Sequence, residues 1–93
     1  MFKCNEYFDG KVKSLAFQTP DKAATVGVMA AGDYTFASAE AEIMTVVSGE
    51  LIVTLPGSDS AKSFVTGDSF NVPANSSFDV RVPVDTAYLC LYG

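Results

Sequence analysis

Gly67-Asp68-Ser69-Phe70-Asn71-Val72-Pro73-Ala74-Asn75-Ser76-Ser77-Phe78 packs two chain reversals into twelve residues. Gly67 can take φ > 0 and reverse the chain, the alternating residues 69–72 carry it back, and Pro73 with small polar residues turns it again toward Phe78. This is a tight β corner. The same grammar continues on both sides of it. Short β-branched or aromatic runs occupy residues 12–17, 25–29, 43–47, 51–55, 63–65, 69–72, 78–82 and 87–92, and Gly10, Pro20-Asp21, Gly32-Asp33, Ser48-Gly49, Pro56-Gly57 and Gly67-Asp68 punctuate them. Turns at this spacing predict an all-β sandwich or barrel. Only residues 37–42 have a helical composition, and six are too few to hold a helix without strong packing. They are expected to form a loop with at most one turn.

Alternation assigns faces to the strands. Phe78, Val80 and Val82 share one side and Asp79 and Arg81 the other, whereas in the last run Tyr88, Cys90 and Tyr92 oppose Leu89 and Leu91. A strand apolar on both faces belongs at the centre of a two-layer sandwich or under a second subunit.

Spacing adds a resemblance to the cupin barrels. Glycine, five residues, Pro73, one residue, Asn75, two residues and Phe78 is similar to the second cupin motif, with Asn75 in place of its glycine and Phe78 in place of its histidine. Glu42, separated by six residues from the turn glycine Gly49, resembles the end of the first motif. The two histidines that would precede that glutamate are missing. The implied fold is a small cupin-type jelly-roll barrel or sandwich without the metal site.

Composition bounds the rest. A chain of 93 residues predicts one domain spanning 1–93, able to bury about 60 to 65% of its unfolded surface without disulfide staples. Charged residues make up 18%, few for a small surface, so apolar area is expected to be covered by a partner. The net charge of -5 and scattered bases Lys3, Lys11, Lys13, Lys22, Lys62 and Arg81 argue against nucleic-acid binding. Met1 to Glu6 lacks an apolar signal core, and no run approaches the roughly 20 apolar residues of a membrane span, so a cytoplasmic protein is expected, with Cys4 and Cys90 as thiols.

No familiar catalytic machinery is present. The chain has no histidine, which removes Ser-His and Cys-His pairs and histidine-carboxylate metal sites, and no glycine-rich phosphate loop precedes a helix. No metal or other cofactor is expected. The polar residues left for a concave site are Glu40, Glu42, Ser38, Thr45, Arg81 and the tyrosines 34, 88 and 92. Glu42 shares the strand phase of Met44 and Val46, so it points inward if those two are core. Arg81, the only guanidinium, faces away from Phe78 by strand phase, which suits a surface salt bridge as well as a phosphate.

A closer resemblance spans nearly the whole chain. Asn5-Glu6-Tyr7-Phe8, Gly10-Lys11-Val12-Lys13-Ser14, Val26-Gly27-Val28-Met29, Gly32 with Tyr34-Thr35-Phe36, Glu42 with Met44-Thr45-Val46 and Ser48-Gly49, Phe70-Asn71-Val72-Pro73, and Tyr88-Leu89-Cys90 occur in order. Together they resemble the small pyrimidine/purine nucleoside phosphorylases. The resemblance implies a homodimeric cupin enzyme that splits diverse nucleosides with phosphate as co-substrate into free base and ribose 1-phosphate.

Such a reaction passes through an oxocarbenium-like ribosyl centre, so it needs phosphate donors, acceptors for the ribose hydroxyls and a grip on the base. Under that reading Arg81, or backbone N–H groups and hydroxyls near Ser38 and Thr45, would hold phosphate, Glu42 or Glu40 the ribose, and Tyr34, Phe78 or Tyr88 the base. The competing class is a non-catalytic cupin that binds a sugar or nucleoside without turning it over.

Overall fold

The computed structural model describes residues 1–93 and contains ten β-strands and no helix. They are β1 (Cys4–Tyr7), β2 (Val12–Gln18), β3 (Ala23–Met29), β4 (Gly32–Ser38), β5 (Glu42–Ser48), β6 (Glu50–Thr54), β7 (Lys62–Val65), β8 (Ser69–Val72), β9 (Ser76–Val82) and β10 (Thr86–Tyr92). The all-β expectation holds. Every sequence-expected run falls on one of these strands, with Leu55 of the run 51–55 one residue past the end of β6.

Two segments depart from expectation. β1 is a polar four-residue edge strand, Cys-Asn-Glu-Tyr, whose sequence has no alternation to read. β4 begins at Gly32-Asp33, read as a turn, and runs through Ser38, while β5 opens on Glu42. Residues 37–42 are therefore two strand ends joined by a three-residue bend. The helical composition of Ala and Glu lost to pairing, because β9 offers β4 a full ladder from Gly32↔Val82 to Ser38↔Ser76.

The strands form a six-stranded sheet, β1-β2-β3-β10-β5-β8, over a four-stranded sheet, β4-β9-β6-β7. β3 pairs with β10, β4 with β9, β5 with β8 and β6 with β7, all antiparallel. This nested pairing is the wrapped ribbon of a jelly roll. Its innermost turns are the β corner: Gly67 takes φ 93° and Asn75, in the place of a glycine, takes φ 54°. Asparagine tolerates that left-handed region better than most residues.

The core between the sheets is built from the alternation. Val12, Met29, Met44, Val46, Cys90 and Tyr88 come from the larger sheet, and Leu51, Val53, Phe78, Val80, Val82 and Tyr34 from the smaller. β10 runs through the middle of the larger sheet, between β3 and β5. Its outward residues Leu89 and Leu91 join Leu15, Val26, Val28, Ile43 and Val47 on an outer face that is apolar across four strands. No helix is long and apolar enough to cross a membrane.

Candidate active site

The sandwich is not filled at one end. A cavity of about 450 Å³ lies between the sheets and reaches both β1 and β4, each at the edge of its own sheet. β10 supplies one wall through three successive inward residues, Tyr88, Cys90 and Tyr92. β5 adds Glu42 and Met44 beside them, since Tyr92 pairs with Glu42 and Cys90 with Met44. Phe36 and Phe78 stand opposite, 5.8 Å apart and tilted by 32°. Tyr7 and Phe8, from the β1–β2 hairpin, reach the open side.

Close packing of backbone sets Tyr88. It lies across Gly27, where an added Cβ would be 2.8 Å from the Tyr88 hydroxyl and 2.9 Å from Ser14 Cβ. Any larger residue would displace the ring. Glycine at this point therefore lets the phenol settle beside Ser14 on the cavity floor.

Glu42 is the only charged side chain lining the cavity. Burial raises its pKa above the ordinary 4.5, the Cys90 thiol opposes that rise, and the nearby Glu40 charge adds to it. The Cys90 Sγ–H donates to Glu42 Oε1 at 3.4 Å. Burial, and then the Glu42 charge, push the thiol up to about 12. Cys90 is thus a hydrogen-bond donor at neutral pH and not a nucleophile.

Burial also pushes Tyr88 up to about 12, with the Ser14 hydroxyl acting in the opposite sense, and raises Tyr92. The Tyr92 hydroxyl pairs with Thr25 Oγ1 at 3.0 Å. One carboxylate thus faces three protonated donors on β10. The arrangement can hold a polyhydroxylated ligand at the Glu42 end and a flat ring at the aromatic end. No group of three or more His, Cys, Asp or Glu is placed to hold a metal ion.

Of the residues singled out from the sequence, Glu42, Phe78, Tyr88 and Tyr92 line this cavity. The other five do not. Ser38 donates to the Pro73 carbonyl at 2.6 Å and accepts from the Ser76 N–H at 3.2 Å, tying β4 to the corner. Tyr34 is buried and donates to the Ala30 carbonyl at 2.7 Å. Thr45 has the outward phase and shares a hydrogen bond with Ser69 at 2.7 Å.

Glu40 lies exposed in the bend before β5. Arg81 is exposed on the outer face of the smaller sheet, 3.1 Å from Asp33. That face carries a shallower depression of about 640 Å³ with Asp33, Thr35, Asp79 and Arg81. Its polar groups satisfy one another, Thr35 donating to Asp79 at 2.8 Å and Arg81 to Asp33.

Ser14, Cys90 and Phe8 were absent from the sequence-derived set. Cys90 shares the phase of Tyr88, and Ser14 that of Val12, so alternation held a signal for both. Phe8 sits in a turn, where alternation says nothing.

Comparison with known proteins agrees with this architecture. A family profile described as pyrimidine/purine nucleoside phosphorylase matches residues 2–92. A protein of Pseudomonas syringae pv. syringae named pyrimidine/purine nucleoside phosphorylase is 63% identical over 92 residues, 99% of each chain. The crystal structure of a Vibrio parahaemolyticus protein of unknown function superposes with a TM-score of 0.96 at 45% identity, covering 100% of this chain and 99% of that one. An RmlC-like cupin from Shewanella frigidimarina, 22% identical, has a TM-score of 0.76 over 98% of this chain and 82% of its own, so the fold is that of the cupins. The chain belongs to the pyrimidine/purine nucleoside phosphorylase family.

Proposed function

We propose that the protein cleaves purine and pyrimidine nucleosides with phosphate, releasing the free base and ribose 1-phosphate, with broad tolerance of the base. The bond from C1′ to the base nitrogen breaks and a bond from C1′ to a phosphate oxygen forms. The nitrogen takes the bonding pair and, on balance, the proton that phosphate gives up. The observation that carries this reading is Glu42, the one charged group in an aromatic-walled cavity. A carboxylate there accepts hydrogen bonds from ribose hydroxyls, and its attraction grows as positive charge develops at the ribosyl centre. Glu40, outside the cavity, adds only through its charge.

The other walls suit the remaining needs. Tyr88, Cys90 and Tyr92 stay protonated at neutral pH and can donate to phosphate or to the leaving base. Phe78 offers a π face that does not distinguish purines from pyrimidines, which supports broad specificity.

The assay is direct. EDTA-treated protein should release uracil from uridine and adenine from adenosine only with phosphate present, forming ribose 1-phosphate in equal amount. Nucleosides that survive, or are cleaved equally without phosphate, would refute the reading. Activity lost on chelation would refute its metal independence.

Two further parts of the proposal rest on the surface. The outer face of the larger sheet, apolar from Leu15 to Ile43, suits an isologous homodimer of this chain. Both cysteines are free, Cys4 exposed and Cys90 buried, which suits the reducing cytoplasm.

A further inference from the structure

Glu42 is held in the cavity by a single contact. The Cys90 thiol supplies the only hydrogen bond that its side chain makes, at 3.4 Å to Oε1, and neither ion pair of the protein includes it. A glutamate side chain is long and freely rotating, so a carboxylate without a partner samples many directions. One bond to Oε1 fixes that direction and leaves the lone pairs of Oε2 for a ligand.

The thiol is itself well fixed. Cys90 is 2% exposed, on β10 between β3 and β5. The register places Thr25 of β3 directly opposite Cys90, and Glu42 of β5 directly opposite Tyr92. The hydrogen bonds run along the two diagonals, Cys90 to Glu42 at 3.4 Å and Tyr92 to Thr25 at 3.0 Å, within the reach of diagonal neighbours on one face of a sheet. Both hydroxyls also act on the sulfur, whose own hydrogen goes to Glu42.

The kind of donor matters as much as its place. A lysine or arginine at this point would hold the carboxylate more firmly and cancel the charge that a positive ribosyl centre calls for. A protonated thiol directs the carboxylate and leaves its charge intact.

We propose that Cys90 is the positioning residue of Glu42, its thiol aiming the carboxylate at the ribose without neutralising it. The inference rests on the phosphorolysis reading, with Glu42 as the group that answers the developing positive charge. It commits the one thiol hydrogen to Glu42 and narrows the ligand donors on β10 to Tyr88 and Tyr92.

Substitutions at Cys90 separate the hydrogen bond from the packing. Cys90→Val removes the donor and fills the volume with a β-branched side chain suited to a strand, Cys90→Ala removes both donor and volume, and Cys90→Ser keeps a donor. With uridine at saturating phosphate, kcat should fall about 3- to 10-fold in Cys90→Val and Cys90→Ala, the worth of one hydrogen bond, with KM changed less. Cys90→Ser should retain most of the wild-type rate.

The acid limb of kcat/KM against pH reads Glu42 in the free enzyme. The thiol opposes the rise that burial causes, so the limb should move to higher pH in Cys90→Val and Cys90→Ala and stay in place in Cys90→Ser. The charged neighbours of Glu42 are Glu40 in the bend and Lys22 just before β3, and the phenols sharing its cavity are Tyr7, Tyr88 and Tyr92. β4, β8 and β9 bring no titratable group to it, and all these neighbours are the same in every variant.

A packing role gives the opposite pattern, with Cys90→Val near wild type, Cys90→Ser and Cys90→Ala impaired alike and the limb unmoved. That pattern overturns the positioning role and leaves phosphorolysis standing. So does wild-type kcat with an unmoved limb in a folded Cys90→Val or, should that variant not fold, in Cys90→Ala. A wild-type protein inactive on both uridine and adenosine overturns the two together.

Discussion

Strand β10 presents two apolar faces of different chemistry. Inward it carries Tyr88, Cys90 and Tyr92, each an apolar body with one polar hydrogen, and outward Leu89 and Leu91, which are hydrocarbon alone. The inner face gathers around a half-buried carboxylate; the outer one continues into Leu15, Val26, Val28 and Ile43. Polar tips in a partly dry cavity keep their value only if something accepts their hydrogens. Pure hydrocarbon in water gains by meeting more hydrocarbon. The inner face is therefore built for a polar small molecule and the outer face for another protein surface, although one strand carries both.

The largest test strikes the inner face. Glu42→Gln keeps the shape and removes the charge, so kcat should fall on the order of 10²-fold or more, the usual scale for a preorganised electrostatic group. Stability should move the other way. Because burial raises the folded pKa above 4.5, the folded state binds more protons than the unfolded one just above that value. Wild-type stability then falls as pH rises through this window. Glutamine does not titrate, so the variant should gain melting temperature relative to wild type at neutral pH, and the gain should vanish below about pH 4.5. Near-wild-type kcat in a folded variant would make Glu42 structural, and the distinction between the faces would lose its chemical half.

The outer face is tested by Val26→Lys. Val26 is 41% exposed, so lysine costs the isolated chain little, but a two-fold interface would confront the charge twice. Light scattering should report about twice 9.8 kDa for the wild type, with the dimer dissociation constant weakened on the order of tens-fold in the variant. A wild type that is monomeric at micromolar concentration would leave the outer hydrocarbon without its proposed partner.

Much of this was legible because strands announce themselves by alternation. The corner at Gly67 and Pro73, the inward phase of Glu42 with Met44, and the two-faced last strand all follow from a period of two. What alternation cannot carry is distance across the sandwich. Ser38 and Tyr34 are polar and inward in phase, yet tertiary contacts consume both, Ser38 at the Pro73 corner and Tyr34 on the Ala30 carbonyl. β1 and Phe8 escaped notice for a related reason. A short polar edge strand and a strained turn have no periodic signature, and their positions are fixed by the β2 ladder and by rings from the other sheet.

The smallest expected effect is at Arg81, where the sequence offered a phosphate-binding guanidinium. Its strand phase in β9 turns it outward, and it pairs with Asp33 at 3.1 Å, both partners well exposed. Exposed pairs of this kind contribute about 0 to 1 kcal/mol, so Arg81→Gln should barely alter stability. Nor is the surrounding field favourable to phosphate, because Asp33 and Asp79 share the depression and repel an anion. The KM for phosphate should therefore change by less than about twofold, an amount well inside what a screened surface charge can do. A rise of about tenfold with nucleoside KM unchanged would move phosphate binding to the outer face of the smaller sheet. Catalysis would then require Arg81 to reach the cavity of a second chain, and the division of labour between the faces would have to be redrawn.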